Sequence, residues 1–237
     1  MKPCSLKLNP LLRLNVLAEK LINRDFEPLK PDDTVSSAIA KMDAWQTSSV
    51  PVIEPSTKKV IGHVLFETVA NISDVKTKLS DVEWRPALYT FKTQHVFEVA
   101  RQMLQHEVRI LAVTDEMETY QGIIEKKSVL EALSAMLNIG SSGSVITIMM
   151  EKPDFTLSKL VHLIETENAK ILGLTVEQPE DEESLLQVSI KLNLEDTSAI
   201  TSSLKRYGFV VTSVAKQDLL QVDMTSRANE LIRYLDL

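Results

Sequence analysis

The apolar positions between residues 28 and 131 fall into one pattern and then repeat it. Val35, Ala38, Ile39 and Met42 are spaced i, i+3, i+4, i+7 and share one helical face; Val96, Val99, Ala100 and Met103, 61 residues further on, rebuild that face. Asp32 and Thr93 stand at the same offset, and each offers a side-chain oxygen to a free helix N–H. Each helix leads to a short β-rich run, Ser49 to Ile53 and Ile110 to Thr114, and then to a polar turn, Glu54 to Lys59 and Asp115 to Tyr120. A strand containing glycine follows, Val60-Ile61-Gly62-His63-Val64 and Gln121-Gly122-Ile123-Ile124. Here the offset is 60, and the missing residue belongs in the turn, because a slip inside a strand would reverse its faces. Second helical runs at 66–72 and 126–138 close the copies, and Leu14, Leu17, Ala18, Leu21 and Ile22 predict an amphipathic helix ahead of them. The result is a βαββα unit written twice. Each copy alone has too small a core, so the two are expected to pack sheet to sheet.

Residues 138–144, Asn-Ile-Gly-Ser-Ser-Gly-Ser, have the composition of a flexible connection, which sets a linker at 139–144. Beyond it the pattern becomes βαββαβ: strands at 145–150, 170–177, 185–194 and 209–215, and helices at 156–167 and 196–206. That order is the split-βαβ, ferredoxin-like arrangement. Leu186, Val188, Ile190 and Leu192 alternate with Gln187, Ser189, Lys191 and Asn193, the signature of an antiparallel strand with one buried face. Leu157, Leu160, Val161 and Ile164 form one covering helix, and Ile200, Leu204 and Tyr207 the other. A last helix at about 226–235 carries Ala228, Leu231, Ile232 and Leu235. The fold class is therefore α+β, with domains at 1–138 and 145–237.

Composition narrows the function classes. Charged residues make up 25% and apolar residues 44% of the 237, an ordinary folded protein. No stretch approaches the roughly 20 apolar residues of a membrane span, and the amino terminus reads as mature chain. The net charge is −7, of which −1 falls on residues 1–138 and −6 on 139–237, so there is no basic reserve for nucleic acid. Cys4, the one cysteine, makes no internal disulfide and fits a reducing, cytoplasmic location. His63, His95, His106 and His162 show no metal-ligand spacing, and no nucleophile elbow, P-loop or dinucleotide fingerprint occurs. Neither a catalytic nor a metal site is expected. Trp45 and Trp84 read as cover for domain edges.

The repeat resembles a tandem pair of CBS domains. Pro31-Asp32-Asp33-Thr34-Val35, Ala38, Met42, Pro51-Val52 and Ile61-Gly62 follow that family's pattern in the first copy, and Val96, Met103, Val113 and Gly122 in the second. Residues 145–216 are similar to an ACT domain, and the order of the two resembles acetoin-utilisation-B type regulatory proteins. The resemblance implies a non-catalytic sensor, dimeric with itself, whose cleft takes AMP, ADP, ATP or another adenosyl ligand. It places the candidate contacts at Lys30, Ser49, Pro51, Leu65, Thr68, Thr90, Arg109, Leu111, Glu125 and Ser128. Nucleotide-binding members follow the glycine strand with a hydroxyl for phosphate and an aspartate for ribose. Here Leu65 and Glu125 hold the first position and Thr68 and Ser128 the second. Pro153-Asp154 stands where ligand-binding ACT members place a glycine. The rival reading is an interaction scaffold that kept the fold and lost its ligand.

Overall fold

The computed structural model of the chain describes residues 16–180 and 182–212, in two compact units that divide between Leu133 and Ser134. The expected helix at 226–235, the end of the strand at 209–215, and Cys4 lie outside the described residues.

The first unit contains the repeat. Its first copy runs α1 (Val35–Ala44), β1 (Ser49–Ile53), β2 (Val60–Leu65) and α2 (Phe66–Val69). The second runs β3 (Tyr89–Phe91), α3 (Val96–Gln105), β4 (Ile110–Thr114), β5 (Tyr120–Glu125) and α4 (Lys126–Met136). β1 and β4 are buried along their whole length, which is why they read as unbroken apolar runs. β3 pairs in parallel with β4, and its counterpart in the first copy is a single parallel bridge from Leu29 to Val52. The duplication reaches fine detail. Each hairpin has a register shift at the same place, after Val52 and after Val113. Positive φ recurs at Gln46 and Glu107, and again at Lys58 and Glu118. The residue lost between copies is in the turn, as the offsets require.

Three expectations are corrected. The helix caps are Thr34, whose hydroxyl accepts from Ser37 N–H at 3.2 Å, and His95, whose Nδ1 accepts from Phe97 N–H at 3.2 Å, each two residues beyond the expected position. Asp32 is engaged elsewhere, in an ion pair with Lys78 at 2.8 Å. The helical run at 66–72 is a single turn ending at Val69. No amphipathic helix forms over Leu17 to Ile22; only Ala18–Lys20 coils, as a 3-10 turn, and Leu14 is outside the described residues.

What those residues do instead organises the unit. The segment at 16–25 crosses to the second copy: Val96 N–H donates to Val16 O at 2.7 Å and Ala18 N–H to Gln94 O at 2.8 Å, while Asn23 and Ile123 exchange both backbone bonds, at 2.7 and 3.0 Å. The segment at 77–86 does the same for the first copy. Val35 N–H donates to Thr77 O at 3.0 Å, and His63 and Arg85 exchange bonds at 3.1 and 2.9 Å. Its own 3-10 turn, Leu79–Asp81, lies 61 residues after Ala18–Lys20, so these crossing segments belong to the repeat. Each copy is closed by the segment that leads into the other. Leu79 is fully buried in the first copy's core, which also holds Phe26, Leu29, Val50, Val52 and Val64 and takes in Ile110 and Ile123 of the second.

The glycine of each copy now has a physical reason. A Cβ on Gly122 would sit 2.5 Å from Asn23 O, and its φ of +140° disfavours any side chain; a Cβ on Gly62 would meet Arg85 O at 2.9 Å. The crossing backbone passes directly over both positions.

The second unit is one antiparallel sheet of β6 (Ser144–Glu151), β7 (Ile171–Glu177), β8 (Leu185–Leu192) and β9 (Val210–Val211), ordered β7-β8-β6-β9, with α5 (Leu157–Thr166) and α6 (Ser198–Arg206) on one face. This is the split-βαβ order. Val188, Ile190 and Leu192 are buried against Leu160, Ile164, Ile200 and Leu204, as the alternation in β8 requires. Leu157 and Tyr207, expected in the covering faces, are exposed instead. β6 starts at Ser144, whose hydroxyl donates to Leu194 O at 2.7 Å.

The packing over Gly122 makes a direct prediction. G122A should lower the unfolding free energy by about 2 kcal/mol, whereas G140A, whose Cβ would meet nothing within 4 Å, should stay within about 0.5 kcal/mol of the parent. Urea titration of both measures this, and a G122A as stable as the parent refutes the crossing geometry.

Candidate functional site

Among the described residues of the first unit, two concave sites bear on the candidate contacts. The smaller, of 490 Å³, lies between the crossing segment and α4, and is lined by Lys20 to Asp25, Glu125, Ser128, Glu131 and Ala132. Its walls are set by backbone bonds. The exchange between Asn23 and Ile123 brings Asn23 Nδ2 to 2.9 Å from Glu125 Oε1, and Lys126 N–H donates to Arg109 O at 2.8 Å, which fixes where α4 begins. Glu125, Ser128 and Ala132 follow at helical spacing, so α4 turns one face to the cleft. Two cations, Lys20 and Arg24, face three carboxylates, Asp25, Glu125 and Glu131. The cleft is polar, and rich in hydrogen-bond acceptors.

The larger, of 900 Å³, is framed by Ser36, Ile39, Ala40, Met42 and Asp43 of α1 with Gln46 to Ser48, Phe66, Val75 and Arg109. Gln46 takes a left-handed φ of 46°, and its carbonyl accepts from Arg109 Nη1 at 3.1 Å. Arg109 is the one cation in this lining.

The structure does not gather the ten expected contacts into one place. Glu125 and Ser128 line the smaller cleft and Arg109 the larger. Ser49 and Pro51 lie buried in β1, opposite Leu65 and His63 of β2. Thr68 is half-buried on α2. Lys30 is exposed, its backbone N–H bound to the Asp33 carboxylate at 2.8 Å. Leu111 and Thr90 are 1% exposed within β4 and β3, facing the core rather than a cleft. The Thr90 hydroxyl and that of Thr114 are buried without a partner. Lys20, Asn23, Arg24 and Asp25 were not expected. Their signal was the faint echo of 16–26 in 77–87, where Arg24 and Arg85 coincide at the offset of 61.

The second unit offers a hollow of 180 Å³ lined by Leu137, Ile139, Val145, Gly173, Leu174, Thr175, Ser189 and Lys191. After β6 the chain makes a 3-10 turn, Lys152–Asp154, and Pro153 there has no N–H to offer a ligand. Among the described residues no group of three His, Cys, Asp or Glu is placed to hold a metal ion, and no helix is long and apolar enough to cross a membrane.

Residues 79–135 match the CBS domain family. The chain is 26% identical over 114 residues to the inosine-5'-monophosphate dehydrogenase of Methanocaldococcus jannaschii, covering 48% of this chain and 23% of that enzyme. It is 28% identical over 103 residues to the same enzyme of Bacillus subtilis, covering 43% and 21%. The chain therefore spans less than a quarter of the length of these relatives. A solved CBS domain pair/ACT domain protein from Thermotoga maritima is similar at 22% identity and a TM-score of 0.46, over 51% of this chain and 98% of that one. Residues 79–135 form a CBS domain, and the copy before them repeats its topology.

His63 yields a pH prediction. Its Nδ1 donates to Pro86 O at 2.8 Å, and burial pushes its pKa below the usual value, the carbonyl bond only partly opposing it, with His106 and Arg85 lowering it a little further. The folded state thus favours the neutral ring. Stability from this group is present above the ordinary histidine range and is lost as pH falls below about 6.5 toward the folded-state pKa. Thermal melts between pH 7.5 and 5 should show that loss, and H63N should flatten it. An unchanged slope in H63N removes the assignment.

Proposed function

We propose that the chain is a non-catalytic regulatory protein whose first unit binds an adenosyl nucleotide, or a related small metabolite, in the cleft between the crossing segment and α4. One observation carries this reading: Glu125 and Ser128, the two motif positions of a matched CBS domain, open together with Asn23 onto a 490 Å³ cleft. That volume suits a small ligand. The Glu125 carboxylate and Ser128 hydroxyl accept from ribose hydroxyls or an exocyclic amine, and Lys20 and Arg24 supply positive charge to a phosphate. AMP, ADP and ATP are the ligands to try first.

The reading extends to the rest of the chain. Residues 1–138 act as a CBS pair and 145–237 as an ACT-like module that passes the state of the pair to a partner, in the cytoplasm. The chain assembles as a homodimer through Phe97, Leu104 and Leu130, which are 58%, 64% and 66% exposed on α3 and α4. The rival reading, a scaffold without ligand, is favoured by Glu125 being already bonded to Asn23.

A ligand at a hundred times its Kd adds about 2.7 kcal/mol, raising the melting temperature by roughly 5–10 °C. Thermal melts with AMP, ADP, ATP and adenosine test this, and S128A should weaken the response by about 1 kcal/mol. No shift with any of the four favours the scaffold. Sedimentation of F97D/L104D separately tests assembly: a dimer that survives both charges overturns the proposed interface.

A further inference from the structure

The sheet of the second unit has helices on one face only, and its register shows what the other face carries. Ile146, Ile148, Val188 and Ile190 point into the core beneath α5 and α6, so the residues between them point away. These form three rows across the sheet: Lys191, Val145 and Gly173; Ser189, Thr147 and Thr175; and Gln187, Met149 and Glu177, which Val210 of β9 extends. The apolar positions of the rows make one lane along β6 and β9, through Val145, Met149 and Val210. Val145 and Val210 are 41% and 61% exposed. The 180 Å³ hollow shares the first two rows with Leu137, Ile139 and Leu174. Charge marks the two ends of the face. Lys191, half-buried and without an ion pair among the described residues, stands in the first row, while Glu177 closes the third and Glu151 lies one row beyond.

A lane one strand wide does not suit a second sheet, which needs an apolar face along every strand. It has the width of a helix stripe. The chain carries such a stripe, Ala228, Leu231, Ile232 and Leu235, in the segment expected to be helical that lies outside the described residues. Arg227 stands at its start and Asp236 at its end. In a helix these two are about 14 Å apart, and the rows of Lys191 and Gln187 are separated by about 14 Å as well. Thr212 N–H donates to Thr147 O at 2.9 Å, so the chain leaves β9 beside this lane. The stretch from Thr212 to Arg227 can span up to about 50 Å, ample for the return to the third row.

We propose that the segment from Arg227 to Asp236 docks as a helix on this open face, antiparallel to β6, with Arg227 toward Glu151 and Glu177, Asp236 toward Lys191, and Leu235 in the hollow. The stripe then covers the apolar lane, and each end charge meets its opposite. Nothing in this docking depends on the nucleotide cleft.

Cysteine chemistry in the full chain tests the docking, in a C4S background. T147C/I232C, at the middle of the lane and of the stripe, should form a disulfide within one chain under mild oxidation. S158C/I232C, whose first position is exposed on α5, should not. In the single variant T147C the thiol should react slowly with a water-soluble thiol reagent, and adding L231D/L235D should raise that rate roughly tenfold or more, the worth of one buried leucine. Circular dichroism checks that L231D/L235D keeps the sheet. A disulfide between chains assigns the face to a second copy and overturns the proposal. So does the absence of a T147C/I232C disulfide, an S158C/I232C disulfide formed as readily, or equal reactivity of T147C with and without L231D/L235D.

Discussion

The free edges of two short sheets impose the constraint on which the first unit depends. A β-hairpin such as β1/β2 or β4/β5 leaves a row of backbone N–H and C=O groups without partners, and burying such groups unpaired is costly. Each copy pairs the edge of its central strand from within, through β3 or Leu29, but neither supplies a partner for the outer edge of its glycine strand. The bonds from His63 to Arg85 and from Ile123 to Asn23 are made with segments that lead into the opposite copy. The buried glycines follow from this, since a crossing backbone comes too close to allow a side chain. The smaller cleft follows as well, because its floor is the crossing segment itself. Stability and site thus share one set of backbone bonds.

Much of this was legible in the sequence, and the failures have physical reasons. The repeat, its one-residue slip in the turn, the alternation in β8 and the βαββαβ order are local or periodic signals, and all of them hold. The crossing segment was misread because Leu17, Ala18, Leu21 and Ile22 fall at helical spacing by coincidence. Their structure is decided by partners at residues 94 to 96 and 123, which no window reaches. The caps stand two residues further on, at Thr34 and His95, and in the first copy Asp32 pairs with Lys78 instead. Of the candidate contacts, Glu125 and Ser128 come from the motif and line the smaller cleft. Leu111 and Thr90 lie buried in β4 and β3, because a buried strand shows its residues to the core on both faces, and Asn23 carries no motif signal because it reaches that cleft only through the crossing.

Electrostatics does less to hold the fold than to tie the copies together. Lys59 meets Glu118 at 2.8 Å, and the Tyr89 hydroxyl donates to the same carboxylate at 3.3 Å, joining the hairpin turn of one copy to the other. The pairing lowers the pKa of Glu118 and raises that of Lys59. Both groups are well exposed, where salt screens such pairs and their worth is small. The apolar core common to both copies and the crossing backbone carry the association.

The crossing also sets a schedule for synthesis. Asn23 leaves the ribosome 100 residues before Ile123, its partner. At about 5–20 residues per second, the early segment waits roughly 5 to 20 seconds, holding Leu17 and Ala18 in water until the second hairpin exists to receive them. The first copy has no such delay, because its closing segment follows it at once. The first copy of the repeat is therefore complete early, and the copy that carries the smaller cleft is the last to form.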